Sequence, residues 1–516
     1  MNDTPRGGAA ATPAALEVYV DAPDAFVQRA AWALTTLLAP LGRRLALTRD
    51  PTRAEGAALA YAPHPVPGVP TIPRSDAALD LFAATRPLPP GSFELRVPAS
   101  GAKGRIVMGA GGGTGALVAA FPAAHAAGFA APCDLVASAF ALLACWDERT
   151  VAERDRFDRL PYAASVFAAN PELRIEEPAV DRYVEVLRAA LGPRVATLGI
   201  EPLPAPGWMW GGARFAVALT HDVDNLWRWT PRGFAATGMR SARAVRHRDG
   251  AALHRELGDL GDWLTRHLPR RSDPFWTFPQ MLAGEDARGV SSTFFVIARH
   301  THRRDGNQPR TYARRIRKVL ALLARAGREV GLHGNDADRS GVPALRRDRT
   351  DLSARAGAAV GGMRYHYLRC LYHETLPRLE EAGFAYDSSL AFAEHEGFRC
   401  GASFPFHPYD LGAERPLKLL EVPLALMDTS LHGAQYRALT AAAAERVSRE
   451  VLGRARESGG GIALLWHNLR FDRRAARGYD DVYWRLVDWA RAEGALLAPA
   501  GELARLWATA TEGGSA

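Results

Sequence analysis

The sequence predicts an α/β protein: a parallel sheet, open or closed as a (β/α) barrel, at the C-terminal end, with a smaller α/β domain before it. Three observations carry this. Beyond residue 214, apolar runs of strand length alternate with stretches of helical length, and parallel strands need helical crossovers. The reactive residues gather where those runs end, the rim at which barrel enzymes assemble their sites. At 516 residues the chain is too long for one ordinary domain.

The N-terminal elements follow in order. Residues 1–15 are small, polar and Ala-rich and are expected to be disordered. LEVYVDA reads as a strand and AFVQRAAWALTTLLAPLG as a helix, while RLALTRD and GAALAYAP are short β-like runs. GRIVMGAGGGTGA reads as a strand entering a Gly-rich turn. Its segment 109–115 fits a dinucleotide fingerprint poorly, because no clean helix follows and no acidic residue stands about 20 positions on. A tight loop is the expectation. CDLVASAFALLACWDERT and VDRYVEVLRAALG are helical, and EPLPAPGWMWGGAR (201–214) is a linker or a packed approach to the second domain.

In the second part the strands are FAVALT (215–220), SSTFFVIA (291–298), REVGLH (328–333), GMRYHYLR (362–369), YDSSLAF (386–392), LKLLEVPLAL (417–426) and GIALLWHN (461–468). Helices are expected over 310–326, 372–383, 438–457 and 480–493. The loop 392–411, rich in aromatic and charged residues, is read either as a wall of a substrate groove or as a well-packed connector.

Hydrophobic residues make up 47% of the chain and charged residues 23%, as in a soluble globular protein. The four cysteines include no C-x-x-C pair, which fits a reducing compartment rather than a disulfide framework. No signal peptide and no membrane span are expected, so the reading is cytoplasmic. The net charge of +8 comes mostly from arginines spaced along helices without interleaved aromatics, which argues against a nucleic-acid partner.

Asp222 and Asp224 follow the strand 215–220. In an extended segment residues two apart point the same way, so both carboxylates can face one cavity, where a cation beside one of them would relieve their repulsion. One can hold a metal while the other takes a proton from water. The plainer alternative is a turn or a helix cap. His333 closes its strand before Gly334, and His467 follows the apolar run ALLW, an odd place for a polar group unless it projects into a cavity. His395, His407 and His432 lack partners at useful spacing and read as surface or structural residues.

Taken together, THDVD, SSTFFV, GREVGLHG, MRYHYLR, GFAYDSS and IALLWHN resemble, in order, the motifs of the polysaccharide deacetylase (NodB-homology) family. The chain is most similar to a bacterial subgroup with T-H-D-V-D and an extra N-terminal domain, whose end AERDRFDRLP and EPAVDRYVEVL resemble. The resemblance implies a distorted (β/α) barrel over 214–507, after an α/β domain (16–195) and a linker (196–213), with a flexible tail at 508–516. It implies a hydrolase that removes acyl groups from an amino sugar, with a glycan or sugar-precursor substrate and one divalent ion, zinc foremost. Asp222 would be the catalytic base and His467 the general acid. Arg364 would hold the base ionised and Asp387 would support the site. Asp224 and His333 would be metal ligands, and a backbone N–H near 387–390 would help to stabilise the oxyanion.

One position departs from the family. The second metal histidine normally stands four residues after the first, and here that residue is Ala337. His366 is the favoured replacement, as Arg364 two residues earlier would share its face, with Asp336 and Asp338 as the nearby alternatives. The rival readings are a catalytically inactive carbohydrate-binding protein, and an esterase or other C–N hydrolase on the same barrel.

Overall fold

The computed structural model describes residues 14–96, 107–108, 113–114, 117–122, 133–228, 231–265, 273–302, 304–305, 309–472 and 478–513. The N-terminal domain holds four parallel strands, β1 (Ala14–Val20), β2 (Arg43–Thr48), β3 (Leu59–Ala62) and β4 (Thr71–Pro73), in the order β2-β1-β3-β4. The helix Asp24–Leu38 makes the crossover from β1 to β2. Rings of Phe26, Phe82, Phe140 and Trp146 pack at centroid distances of 4.9–6.1 Å, edge-on for the most part, as aromatic quadrupoles favour. Of the Gly-rich segment, Gly113–Thr114 pairs antiparallel with Val107–Met108. Residues 109–112 and 115 lie outside the described residues.

The C-terminal domain is built on β5 (Phe215–Val223), β6 (Thr293–Ile297), β7 (Glu329–Gly334), β8 (Gly362–Tyr365), β9 (Tyr386–Asp387), β10 (Leu420–Glu421), β11 (Leu424–Met427) and β12 (Gly461–Leu465). They form one parallel sheet in the order β10-β9-β8-β7-β6-β5-β12-β11, and a further strand, Ala495–Ala498, adds to the first half of β5. The two edge strands are consecutive in the chain, with only Val422 and Pro423 between them. Laid flat, the edges would lie about 34 Å apart at about 4.8 Å per strand. Two residues reach only about 11 Å, so the sheet must curl. The Val422 N–H donates to the Asp387 carbonyl (2.9 Å), and the Ala463 N–H donates to the Pro423 carbonyl (2.8 Å). Residues 420–427 thus act as one bent strand that pairs with β9 first and β12 second, closing a distorted barrel. Pro423 has no N–H, which suits the point where pairing changes sides.

Five of the seven expected strands are shorter than the sequence predicts: 291–298 keeps Thr293–Ile297 and 461–468 keeps Gly461–Leu465, and three others are cut further. The run 362–369 stops at Tyr365 and continues as a tight turn over His366–Leu368. The run 386–392 keeps only two residues, because the Ser389 and Leu390 N–H groups donate to the Asp387 and Glu421 carboxylates rather than to a neighbouring strand. The run 417–426 is interrupted at Pro423. The expected tail differs as well: the helix Ala500–Glu512 reaches into its first residues, with Ala510 buried, and residues 514–516 lie outside the described residues. Within the predicted linker, Met209 and Trp210 are buried, and the Trp210 indole N–H donates to the Gly459 carbonyl (2.8 Å). That segment is therefore a packed approach to the barrel. Among the described residues no helix is long and apolar enough to cross a membrane.

The loop 392–411 serves the domain boundary. The Phe398 N–H donates to the Ile175 carbonyl, and the Gly401 carbonyl accepts from the Val180 N–H, both at 2.8 Å. Tyr409 packs on Trp32 (5.1 Å) and Phe140 (6.1 Å). Arg399 forms a buried ion pair with Glu148 of the N-terminal domain. Replacing Arg399 with Ala leaves that carboxylate buried and unpaired, which should lower the unfolding free energy by about 3–5 kcal/mol. Urea denaturation measures it, and a loss below about 1 kcal/mol, the worth of an exposed pair, would contradict the interface described.

Candidate active site

Side chains alternate along β5, and the two faces do different work. His221 turns outward: its Nδ1 lies 2.7 Å from the Trp466 carbonyl and its Nε2 3.3 Å from Glu285 on the helical layer. Thr220 and Asp222 turn inward. The Arg364 guanidinium, fully buried, donates to Thr220 Oγ1 (2.8 Å), Asp222 Oδ1 (3.0 Å), the Ser388 carbonyl (2.8 Å) and Ser388 Oγ (2.9 Å), and lies 4.4 Å over the Phe295 ring. These bonds satisfy a cation that would otherwise be costly to bury, and they fix the Asp222 carboxylate in place.

Asp224, two residues on, meets imidazoles instead. His333 Nε2 stands 3.1 Å from Asp224 Oδ1 and 3.6 Å from Asp222 Oδ2, and His366 Nε2 is 3.8 Å from Asp224 Oδ2. One donor atom from each of Asp224, His333 and His366 falls within 4.8 Å of the others, a spacing that one divalent ion can bridge. His333 Nδ1 lies 2.8 Å from the Arg364 carbonyl, which assigns the ring proton to Nδ1 and leaves a lone pair on Nε2. That lone pair faces a carboxylate oxygen, so a proton or a metal ion must lie between them. Burial pushes the His366 imidazole down to about 4 against the pull of Asp224, so it too offers a lone pair near neutrality. Burial raises Asp224, but the His366, His333 and His467 imidazoles outweigh it and hold the carboxyl below its usual range. The residues fit a metal.

The alternatives to His366 go elsewhere. Asp336 pairs with Arg369 and Arg304. Asp338 accepts from the Asn335 N–H (2.9 Å), and burial beside Asp348 pushes it up to about 8. Ala337 sits in a 3-10 turn, its N–H donating to Asn335 Oδ1 (2.8 Å). His366 itself is not on the strand with Arg364, as the spacing suggested; it opens the turn after β8 and reaches the site from there. A second group with metal-like spacing, Glu176, His395 and Glu396, already has a cation: Arg437 lies 3.1 Å from Glu396 and 2.8 Å from His395 Nδ1.

His467 comes from the loop after β12. Its Nε2 is 3.5 Å from Asp224 Oδ2, while its Nδ1 lies 2.6 Å from Asp428 Oδ1. Burial lowers the imidazole, but Asp428 overrides that and it is pushed up to about 9. Arg470 Nε donates to the other Asp428 oxygen (3.1 Å). Sequence reasoning missed Asp428, although an acidic residue directly after the strand LALM is the kind of signal that marked His333 and His467.

Asp387 lies one layer below. Its carboxylate accepts from the Ser389 N–H and hydroxyl (2.8 Å each) and hydrogen-bonds Glu421, whose carboxyl burial holds well above its usual range. Ser389 Oγ in turn accepts from the Tyr365 N–H (3.0 Å), so Asp387 braces the end of β8. The N–H groups of residues 388–390 are all committed, to Met363, Asp387 and Glu421. The expected oxyanion donor is therefore not among them.

A family of unknown function (DUF7033) matches residues 92–195. No curated protein matches the chain. Among solved structures, a candidate polysaccharide deacetylase from Mycobacterium smegmatis is 23% identical, with 59% of this chain and 94% of that one covered at a TM-score of 0.38. The Puue allantoinase is 15% identical (59% and 94% covered, TM-score 0.40). A structure described as a probable polysaccharide deacetylase from Pseudomonas aeruginosa PAO1 is also 15% identical (59% and 95% covered, TM-score 0.39).

The Asp428–His467 pair predicts a measurable titration. Histidine-selective NMR of the metal-free protein should show an imidazole with a pKa of about 9 that disappears in His467→Ala. In Asp428→Asn the counter-charge is gone while burial remains, so this pKa should fall by about 1–3 pH units. An unmoved titration would remove Asp428 as its cause.

Proposed function

We propose that the chain is a metal-dependent hydrolase that removes an N-acyl group, acetyl foremost, from an amino sugar of a surface polysaccharide or its precursor. One observation supports this most: two carboxylates two residues apart, Asp222 on β5 and Asp224 just past its end, have been given different partners, a guanidinium for Asp222 and two imidazoles for Asp224, with a third imidazole facing them. This is the division into base, ion site and acid that amide hydrolysis needs. The order of motifs from THDVD to IALLWHN adds the sugar-deacetylase reading.

Asp224, His333 and His366 would hold the ion, zinc first, although the mixed nitrogen and oxygen donors also suit cobalt or manganese. When bound, a divalent ion acidifies water and polarises an acyl oxygen. Asp222, fixed by Arg364, is positioned to accept the proton of the attacking water. An amine is a poor leaving group unless protonated, and His467, kept charged by Asp428, would deliver that proton to the nitrogen.

Elemental analysis of the full chain should find about one divalent ion per molecule, lost in Asp224→Ala and His366→Ala and kept in Asp336→Ala. Loss in Asp224→Ala alone would remove His366 from the ligand set. No ion after zinc, cobalt and manganese are supplied would favour the carbohydrate-binding alternative.

N-acetylglucosamine oligomers serve as the first activity probe. Asp222→Asn should lower kcat about 10²–10⁴-fold without loss of metal. His467→Ala should impair amide substrates far more than the corresponding esters, because an alkoxide departs with less help. Equal losses on both would count against His467 as the acid.

A further inference from the structure

His333 and His467 each have a hydrogen-bond acceptor behind the ring, a carbonyl for one and a carboxylate for the other. His366 has none among the described residues. It also begins a turn whose next two residues, Tyr367 and Leu368, take positive φ (61° and 55°), a conformation that bulky side chains adopt only when the surroundings impose it.

The constraint comes from the N-terminal domain. The Phe157 ring stacks on Tyr367 at 4.5 Å and 18°, and Tyr367 stacks on His366 at 3.9 Å and 19°. The three rings form one near-parallel pile whose last member faces Asp224. Arg159 Nη1 donates to the Tyr367 carbonyl (2.6 Å), and Arg369 Nε, two residues beyond, donates to the Phe157 carbonyl (3.0 Å). The loop carrying Phe157 is itself fixed: the Asp155 carboxylate accepts from the Phe157 and Arg159 N–H groups (2.8 and 3.0 Å) and from the Arg159 guanidinium (2.6 and 3.0 Å). Guanidinium groups of Arg156 and Arg159 lie 4.7 and 4.9 Å from the Phe157 ring, and Asp158 pairs with Arg339 in the turn that follows β7.

From this we infer that the N-terminal domain completes the metal site: Phe157, acting through Tyr367, sets the orientation of His366. This rests on His366 being a metal ligand, as proposed above. Phe157, Arg159 and Tyr367 are positioning residues that act through His366. The role would fall to a segment within the region that matches a family of unknown function.

The test is cobalt binding to the full-length, metal-stripped chain, read as a dissociation constant and as the visible absorption of the bound ion. Phe157→Ala and Tyr367→Ala should weaken binding about 10–100-fold, as loss of ligand-orienting partners does, and shift the cobalt spectrum toward that of His366→Ala. Phe157→Tyr keeps the flat ring and should restore both. Arg29→Ala, which removes a different ion pair between the two domains, with Glu414, should change neither. If Phe157→Ala does not fold, Phe157→Leu keeps apolar volume without a stacking face and carries the same expectation. Wild-type affinity in the Phe157 and Tyr367 variants, beside a weakened His366→Ala, would overturn the inference alone. Wild-type affinity in His366→Ala would overturn the ligand assignment, and this inference with it.

Discussion

The barrel and its site are organised around the Arg364 guanidinium. It reaches Thr220 and Asp222 on β5, both oxygens of Ser388 beyond β9, and the face of Phe295 on β6. A fully buried cation is tolerable only where its donors are met and an anion is near. Asp222 is its carboxylate partner, so the group that offsets the burial of Arg364 is also the proposed base. The backbone carbonyl of the same arginine anchors His333. One residue thus orients both the proposed base and a candidate metal ligand.

Three imidazoles surround Asp224, and what lies behind each ring decides what it can do. A carbonyl behind His333 leaves its inner nitrogen free to coordinate. A carboxylate behind His467 keeps that ring charged, with a proton to give. Stacked rings behind His366 fix its direction without adding charge, and burial then favours its neutral form. The same residue type serves differently because position, rather than composition, sets the local field.

The two domains share one continuous apolar core, and the loop 392–411 is largely absorbed into their boundary. Its aromatic and charged residues, which could equally have lined a groove, are spent on contacts with Trp32, Phe140, Glu148 and Asp181. That cohesion is what allows a loop of the N-terminal domain to lie against the turn carrying His366 with defined geometry.

Much of the barrel was legible in the sequence, because a buried parallel strand is a short apolar run and the polar residue that ends it stands out. Asp222, Asp224, His333 and His467 could be found in that way, and the two-residue period of an extended segment placed Asp222 and Asp224 on one side. The length of β9 could not be read, since the Asp387 and Glu421 side chains take backbone donors that a longer ladder would need. The link between Asp428 and His467 was hidden too, because they lie 39 residues apart in the chain. The sequence by itself determined most of the barrel strands and the reactive groups that cap them, though not the strand Ala495–Ala498, because burial and side-chain alternation are local properties. Only the tertiary structure decided that His366 approaches Asp224 from a turn braced by Tyr367 and Phe157, because that contact joins segments about 200 residues apart and depends on barrel closure and domain docking together.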